Sequence, residues 1–124
     1  MKVYISIPIT GRPKEYAMYH ALWLKDVFQE HGHTAITPFE LCNENKPYPY
    51  CIGRNIELTI GKGVDAIVFG EGSYESKGCR LLHAAANIYG KMIIYEETLS
   101  SFDFKKFKYK YSKKNGKVSN QNRP

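Results

Sequence analysis

Apolar residues along this chain alternate between short unbroken runs and repeats at helical spacing. The run Val3-Tyr4-Ile5-Ser6-Ile7 is β-branched and aromatic and predicts a strand covered on both faces, as parallel strands are in α/β proteins. Pro13 suits a first helical residue, and Ala17, Ala21, Leu24 and Phe28 then recur at helical spacing until Gly32 offers a stop, so a helix is expected over about 13 to 31. His33 to Thr37 reads as a short second strand ended by Pro38. Ile52, Ile56 and Ile60 share one face of a second helix over about 51 to 61, closed by Gly61-Lys62-Gly63. Ala66-Ile67-Val68-Phe69 predicts a third strand, Cys79 to Tyr89 a third helix and Met92-Ile93-Ile94-Tyr95 a fourth strand.

Strands that alternate with helices imply a parallel sheet with right-handed crossovers. The expected fold is therefore a single-domain α/β protein, a flavodoxin-like or Rossmann-like parallel sheet of four to five strands flanked by helices. Ligands of such folds sit beyond the carboxyl ends of the strands, at a topological switch point. That rule gathers the segments 7 to 13, 38 to 50 and 70 to 78 around one crevice. The middle segment holds three prolines and two asparagines without periodicity and reads as a long loop over the end of strand two.

Composition adjusts this outline in three ways. The chain has 124 residues, 43% of them hydrophobic, which suits one core, and no window is apolar enough to span a bilayer. A short apolar run that Gly11 and Pro13 soon end does not resemble a secretory leader, so a cytoplasmic protein is expected. The three cysteines, Cys42, Cys51 and Cys79, form no CxxC pair, so reduced thiols are expected rather than a disulfide or a zinc site.

The net charge of +6 belongs to the carboxyl-terminal end: residues 105 to 124 carry eight of the eighteen bases and none of the twelve acids. Ten bases against twelve acids leave the preceding 104 residues at −2. Residues 1 to 104 are accordingly read as the domain and 105 to 124 as a basic, aromatic tail, disordered from about 112. Nucleic acid is not the expected partner of the folded body. The alternation of aromatic and basic residues from Phe107 to Tyr111 leaves a nucleic-acid-associated role for the tail as an alternative.

Two loops carry candidate chemistry. Gly70 to Gly78 leads directly into the third helix, where exposed amides favour an anion, with Ser76 and Gly78 as natural contacts. The loop after the first strand brings Ser6, Pro8, Thr10, Gly11 and Arg12 to the same sheet edge, with a glycine for close backbone approach and a guanidinium suited to phosphate. Neither GxGxxG nor GxxxxGK[ST] is present, and no cofactor or metal is expected.

The segments KVYISIPITGR, GH, the proline-bearing loop, RNIEL, VDAIVF and SKGCRLLHAAANIYGK, in this order, resemble the nucleoside 2-deoxyribosyltransferase-like families over residues 2 to 95. The likeness is to a short bacterial and phage branch of unassigned function. It implies a small-molecule nucleoside or nucleotide as partner and a homo-oligomer, dimer or larger, whose sites a neighbour completes. It also implies that Tyr4 helps frame the site, that the turn of Ser76 and Gly78 holds a phosphate or hydroxyl, and that a glutamate on the following helix attacks the anomeric carbon.

That glutamate position is Leu82 here, and Asn55 stands where related sequences commonly carry an aspartate. Leucine has no lone pair to attack carbon, and an amide is no general acid near neutral pH. Hydrolysis or transfer at the N-glycosidic bond then requires another carboxylate, for which Glu75 and Glu71 are the candidates. His83, one position on, points about 100° away from that helical face. The expected function is nucleoside or nucleotide binding, with noncatalytic sequestration of a nucleotide signal as the alternative.

Overall fold

A computed structural model of the chain describes residues 1–42 and 45–104. It holds four strands, β1 (Lys2–Ser6), β2 (Thr34–Ile36), β3 (Ala66–Phe69) and β4 (Met92–Tyr95), all parallel in the order β2-β1-β3-β4. Between them run α1 (Lys14–Glu30), α2 (Pro38–Leu41), α3 (Tyr48–Ile60) and α4 (Lys77–Ile88), with short 3-10 turns at Ser73–Glu75 and Glu96–Ser101. This is the flavodoxin-like arrangement of a single α/β domain, and its switch point lies between β1 and β3. The basic aromatic segment 105–124, with its expected disorder, lies outside the described residues.

The two-residue period of a strand divides the core in two. Val3 and Ile5 of β1 and Ala66 and Val68 of β3 face α1, where they pack with Ala17, Ala21, Leu24 and Phe28. Tyr4 of β1 and Ile67 and Phe69 of β3 face the other way and pack with Cys79, Leu82 and Ala86 of α4. Gly70, just past β3, leaves room for α1, since a Cβ there would lie 2.6 Å from Ile7 Cγ2 and 3.0 Å from His20 Cε1. Phe104, the last described residue, packs edge-on against Phe28 and stacks on His31.

The segment read as a loop over 38 to 50 is partly helical. Pro38 opens the single turn of α2, and α3 begins at Tyr48, three residues before the expected start, with Pro47 as its N-cap. Proline costs nothing at a helix start, where its missing N–H would have no partner anyway. Glu40 ties α2 down by accepting from the Thr37 backbone N–H at 2.7 Å and from Lys25 Nζ at 2.8 Å. Partial burial opposes its charge, but these two donors outweigh that and hold its carboxyl below the usual range.

The expectation of three reduced thiols is corrected. Cys42 and Cys51 form a disulfide that joins the end of α2 to the first turns of α3, with Cα atoms 5.6 Å apart. A spacing of nine residues carries no signal by itself; the packing of the short α2 against the start of α3 brings the sulfurs together. Cys79 remains a buried thiol. Among the described residues no helix is long and apolar enough to cross a membrane.

Candidate functional site

A cleft of about 540 Å³ opens at the switch point, beyond the carboxyl ends of β1 and β3. Its volume lies within the usual range for small-molecule sites. β1 and the loop after it supply Tyr4, Ser6, Ile7, Ile9 and Thr10; α1 adds Lys14 and Met18. The α2–α3 segment supplies Pro38, Phe39, Cys42, Lys46, Tyr48, Cys51, Ile52 and Asn55, and the start of α4 supplies Ser76, Gly78, Cys79 and Leu82.

The polar residues of the cleft are set by bonds between elements. Tyr4, 1% exposed, donates its hydroxyl to Asn55 Oδ1 at 2.8 Å, across the gap between β1 and α3. Burial, reinforced by the nearby Cys79 thiol, pushes the Tyr4 phenol far above its ordinary value, so it stays protonated and acts as a donor. Ser6 Oγ donates to Cys79 Sγ at 3.4 Å. Ser76 is the N-cap of α4, and its hydroxyl accepts from the Cys79 backbone N–H at 3.3 Å. A Cβ on Gly78 would meet Ile52 Cδ1 and the Tyr48 hydroxyl at 3.1 Å each, so glycine here keeps α3 and α4 close.

Of the residues singled out in the sequence, Tyr4, Ser6, Thr10, Asn55, Ser76, Gly78 and Leu82 meet in this one cleft. Pro8, Gly11, Arg12 and Glu75 do not line it. Arg12 turns to the α1 side, where its guanidinium lies over the Tyr16 ring at 5.2 Å and donates to the Glu71 carbonyl at 3.1 Å. It also lies 3.1 Å from His20 Nδ1, and because arginine only donates, His20 accepts there and donates from Nε2 to Glu96 Oε1 at 2.6 Å. Glu75 is exposed on the 3-10 turn before α4, and Glu71 is held by its backbone N–H to Glu96 at 2.8 Å. His83 also lies off the cleft, bonded to the Tyr95 hydroxyl at 2.7 Å, as its helical angle requires.

Leu82, 1% exposed, borders the cleft among the α4 side chains that close it. Among the described lining residues there is no carboxylate, while Lys14 and Lys46 bring two ammonium groups. Glu44, between the lining residues Cys42 and Lys46, lies outside the described residues. Reading the sequence missed both lysines, Tyr48 and Phe39, and all three cysteines. The sequence places the segment 38 to 50 near the crevice, but an aperiodic segment gives no sign of which side chains turn inward.

The arrangement offers a donor-rich, cationic rim around an apolar interior. Such a site suits a planar, partly apolar ligand that carries acceptor atoms or a negative charge. It does not, with the residues described, offer a nucleophilic oxygen anion.

No curated protein and no solved structure matches the chain. Residues 1–95, which include all four strands and every residue of the cleft, match the family described as Domain of unknown function (DUF4406), and the chain belongs to that family.

Proposed function

We propose that the cleft binds a nucleoside or nucleotide, prefers the phosphorylated form, and leaves its N-glycosidic bond intact. The observation that carries this reading is the lining itself: two lysines and the Ser76–Gly78 turn beside Tyr48 and Phe39, with Leu82 where a nucleophile would stand. Ammonium groups and helix-start amides favour phosphate oxygens, and aromatic rings favour the face of a base. The resemblance to nucleoside 2-deoxyribosyltransferase-like sequences supports the ligand class. Glycosyl transfer through a covalent intermediate needs a carboxylate beside the anomeric carbon, and Leu82 cannot supply it. A cytoplasmic location and noncatalytic sequestration of a nucleotide belong to the same proposal.

Calorimetric titration with a panel of deoxyribonucleosides and their 5′-monophosphates tests it. The monophosphates are expected to bind about tenfold or more tightly than the nucleosides, the worth of one charge-assisted contact. Lys14→Ala and Lys46→Ala should each erode that preference and its salt dependence. Absence of saturable binding by every member of the panel would refute the reading.

A further inference from the structure

We propose that the Cys42–Cys51 bridge is a reversible redox switch that sets the shape of one cleft wall and thereby the affinity of the cleft. The affinity part rests on the nucleotide reading above; the shape part does not.

Both cysteines line the cleft and both are only half-buried, so a thiol reagent approaches them from the side that a ligand would enter. The wall they join also presents Phe39, Lys46, Tyr48 and Ile52. A four-residue helix such as α2 does not persist without tertiary ties. At its start α2 is held through Glu40, which is bonded to Thr37 and Lys25. At its end the covalent tie to α3 is the bridge from Cys42, the C-cap residue. Leu41 beside it packs on the core, so reduction removes the covalent tie and leaves that end to this apolar contact, which lets the wall move relative to α4. The third cysteine, Cys79, is buried in the first turn of α4 and bonded to Ser6, so it stays a thiol in both states.

The chemistry balances with two electrons and two protons. A dithiol attacks one sulfur of the bridge, the S–S bond breaks, and ring closure within the mixed disulfide releases Cys42 and Cys51 as thiols and the reagent as a cyclic disulfide. In the reverse direction glutathione disulfide accepts the two electrons and leaves as two glutathione thiols.

The full chain, equilibrated with glutathione disulfide or with dithiothreitol, provides the test. Alkylation after denaturation should count one thiol in the first buffer and three in the second, out of the three cysteines present. Hydrogen exchange over Phe39–Leu41 and Tyr50–Asn55 should rise about fivefold or more on reduction, the sign of lost local stability. A Cys42→Ser, Cys51→Ser double variant should show the faster exchange in both buffers. Affinity for deoxyadenosine and thymidine 5′-monophosphates should fall about tenfold on reduction and recover on reoxidation in the wild type alone.

Three thiols in glutathione disulfide, or exchange that ignores the redox state, overturns the switch. Responsive exchange with equal affinity in both states overturns its coupling to the ligand. Responsive exchange without binding of either monophosphate in either state supports the switch of the wall and overturns the nucleotide reading instead.

Discussion

Tyr4 on β1 donates its hydroxyl to Oδ1 of Asn55 on α3 at 2.8 Å, which ties an interior strand of the sheet to the helix beside the cleft. Burial raises the Tyr4 phenol above the ordinary tyrosine value of about 10, with the Cys79 thiol adding to it. The folded state thus holds this proton more tightly than the unfolded chain does. Its contribution is complete below about pH 10 and is lost as pH climbs above that value. Wild type should lose about 1.4 kcal/mol more stability per pH unit above pH 10 than Tyr4→Phe does. At neutral pH the variant should be less stable by about 1 to 2 kcal/mol, because Asn55 loses this donor. Urea unfolding at a series of pH values measures both quantities, and parallel curves for the two proteins would show that the phenol is not held by the fold.

Leu82 decides what the cleft can do to a bound nucleoside. Wild type, incubated with deoxyribonucleosides and their monophosphates, should release no free base by chromatography, because the described lining residues include no carboxylate. Robust release would mean that Glu44, Glu71, Glu75 or a neighbouring subunit supplies one, and Glu→Gln variants at these positions would identify it. Leu82→Ala should cost about 2 to 5 kcal/mol in chemical denaturation, since the side chain is 1% exposed and its removal enlarges the space beneath the ligand.

Ser76 and Gly78 separate a structural role from a binding role. Ser76→Ala removes the hydroxyl that caps α4 and should lower stability by about 1 kcal/mol. Gly78→Ala directs a methyl at the ends of two side chains, Ile52 and Tyr48, which yield by small rotations. Its stability should therefore change by less than about 1 kcal/mol, while affinity for a nucleoside monophosphate should drop about tenfold. Denaturation and titration of the same two variants supply the comparison, and unchanged affinity in both would remove the turn from the binding site.

The outer face of α1 presents Tyr16, Tyr19, Leu22 and Trp23 to solvent, with Tyr19 72% and Trp23 45% exposed. The resemblance to nucleoside 2-deoxyribosyltransferase-like sequences implies a homo-oligomer, and we propose that copies of the chain associate through this face. Light scattering should find a dimer or larger species for wild type and a smaller species for Trp23→Glu, since a carboxylate at such a contact would lose its water. A monomeric wild type at all concentrations would refute this.

The four strands and three long helices could be read from the chain because hydrophobic spacing is a local property. Val3 to Ile7 and Ala66 to Phe69 predict buried strands, and their observed bounds differ from the expected ones by one residue or less at each end. The parallel sense of the strands and a crevice at a switch point follow from the alternation of strand and helix through general rules of handedness, whereas the order β2-β1-β3-β4 was set by the fold. Ser76 and Gly78 could be singled out because they sit in a small-residue turn that opens a helix at the crevice, and Ser6 because it borders the loop after β1; Tyr4 came from the family resemblance alone.

Tertiary structure decided the rest. Arg12 stands two residues after Thr10, yet Thr10 lines the cleft while Arg12 turns to His20 and the Glu71 carbonyl, a choice that depends on partners 8 and 59 residues away. Cys42 and Cys51 pair because a proline-started turn and a proline-started helix fold back on each other, and neither the spacing nor the composition encodes that approach. Local spacing of apolar residues is enough to mark the strands and helices, and with them the edge of the sheet at which a ligand would sit. Only the packed chain decided which side chains face that ligand, because inward orientation depends on contacts between residues far apart in sequence.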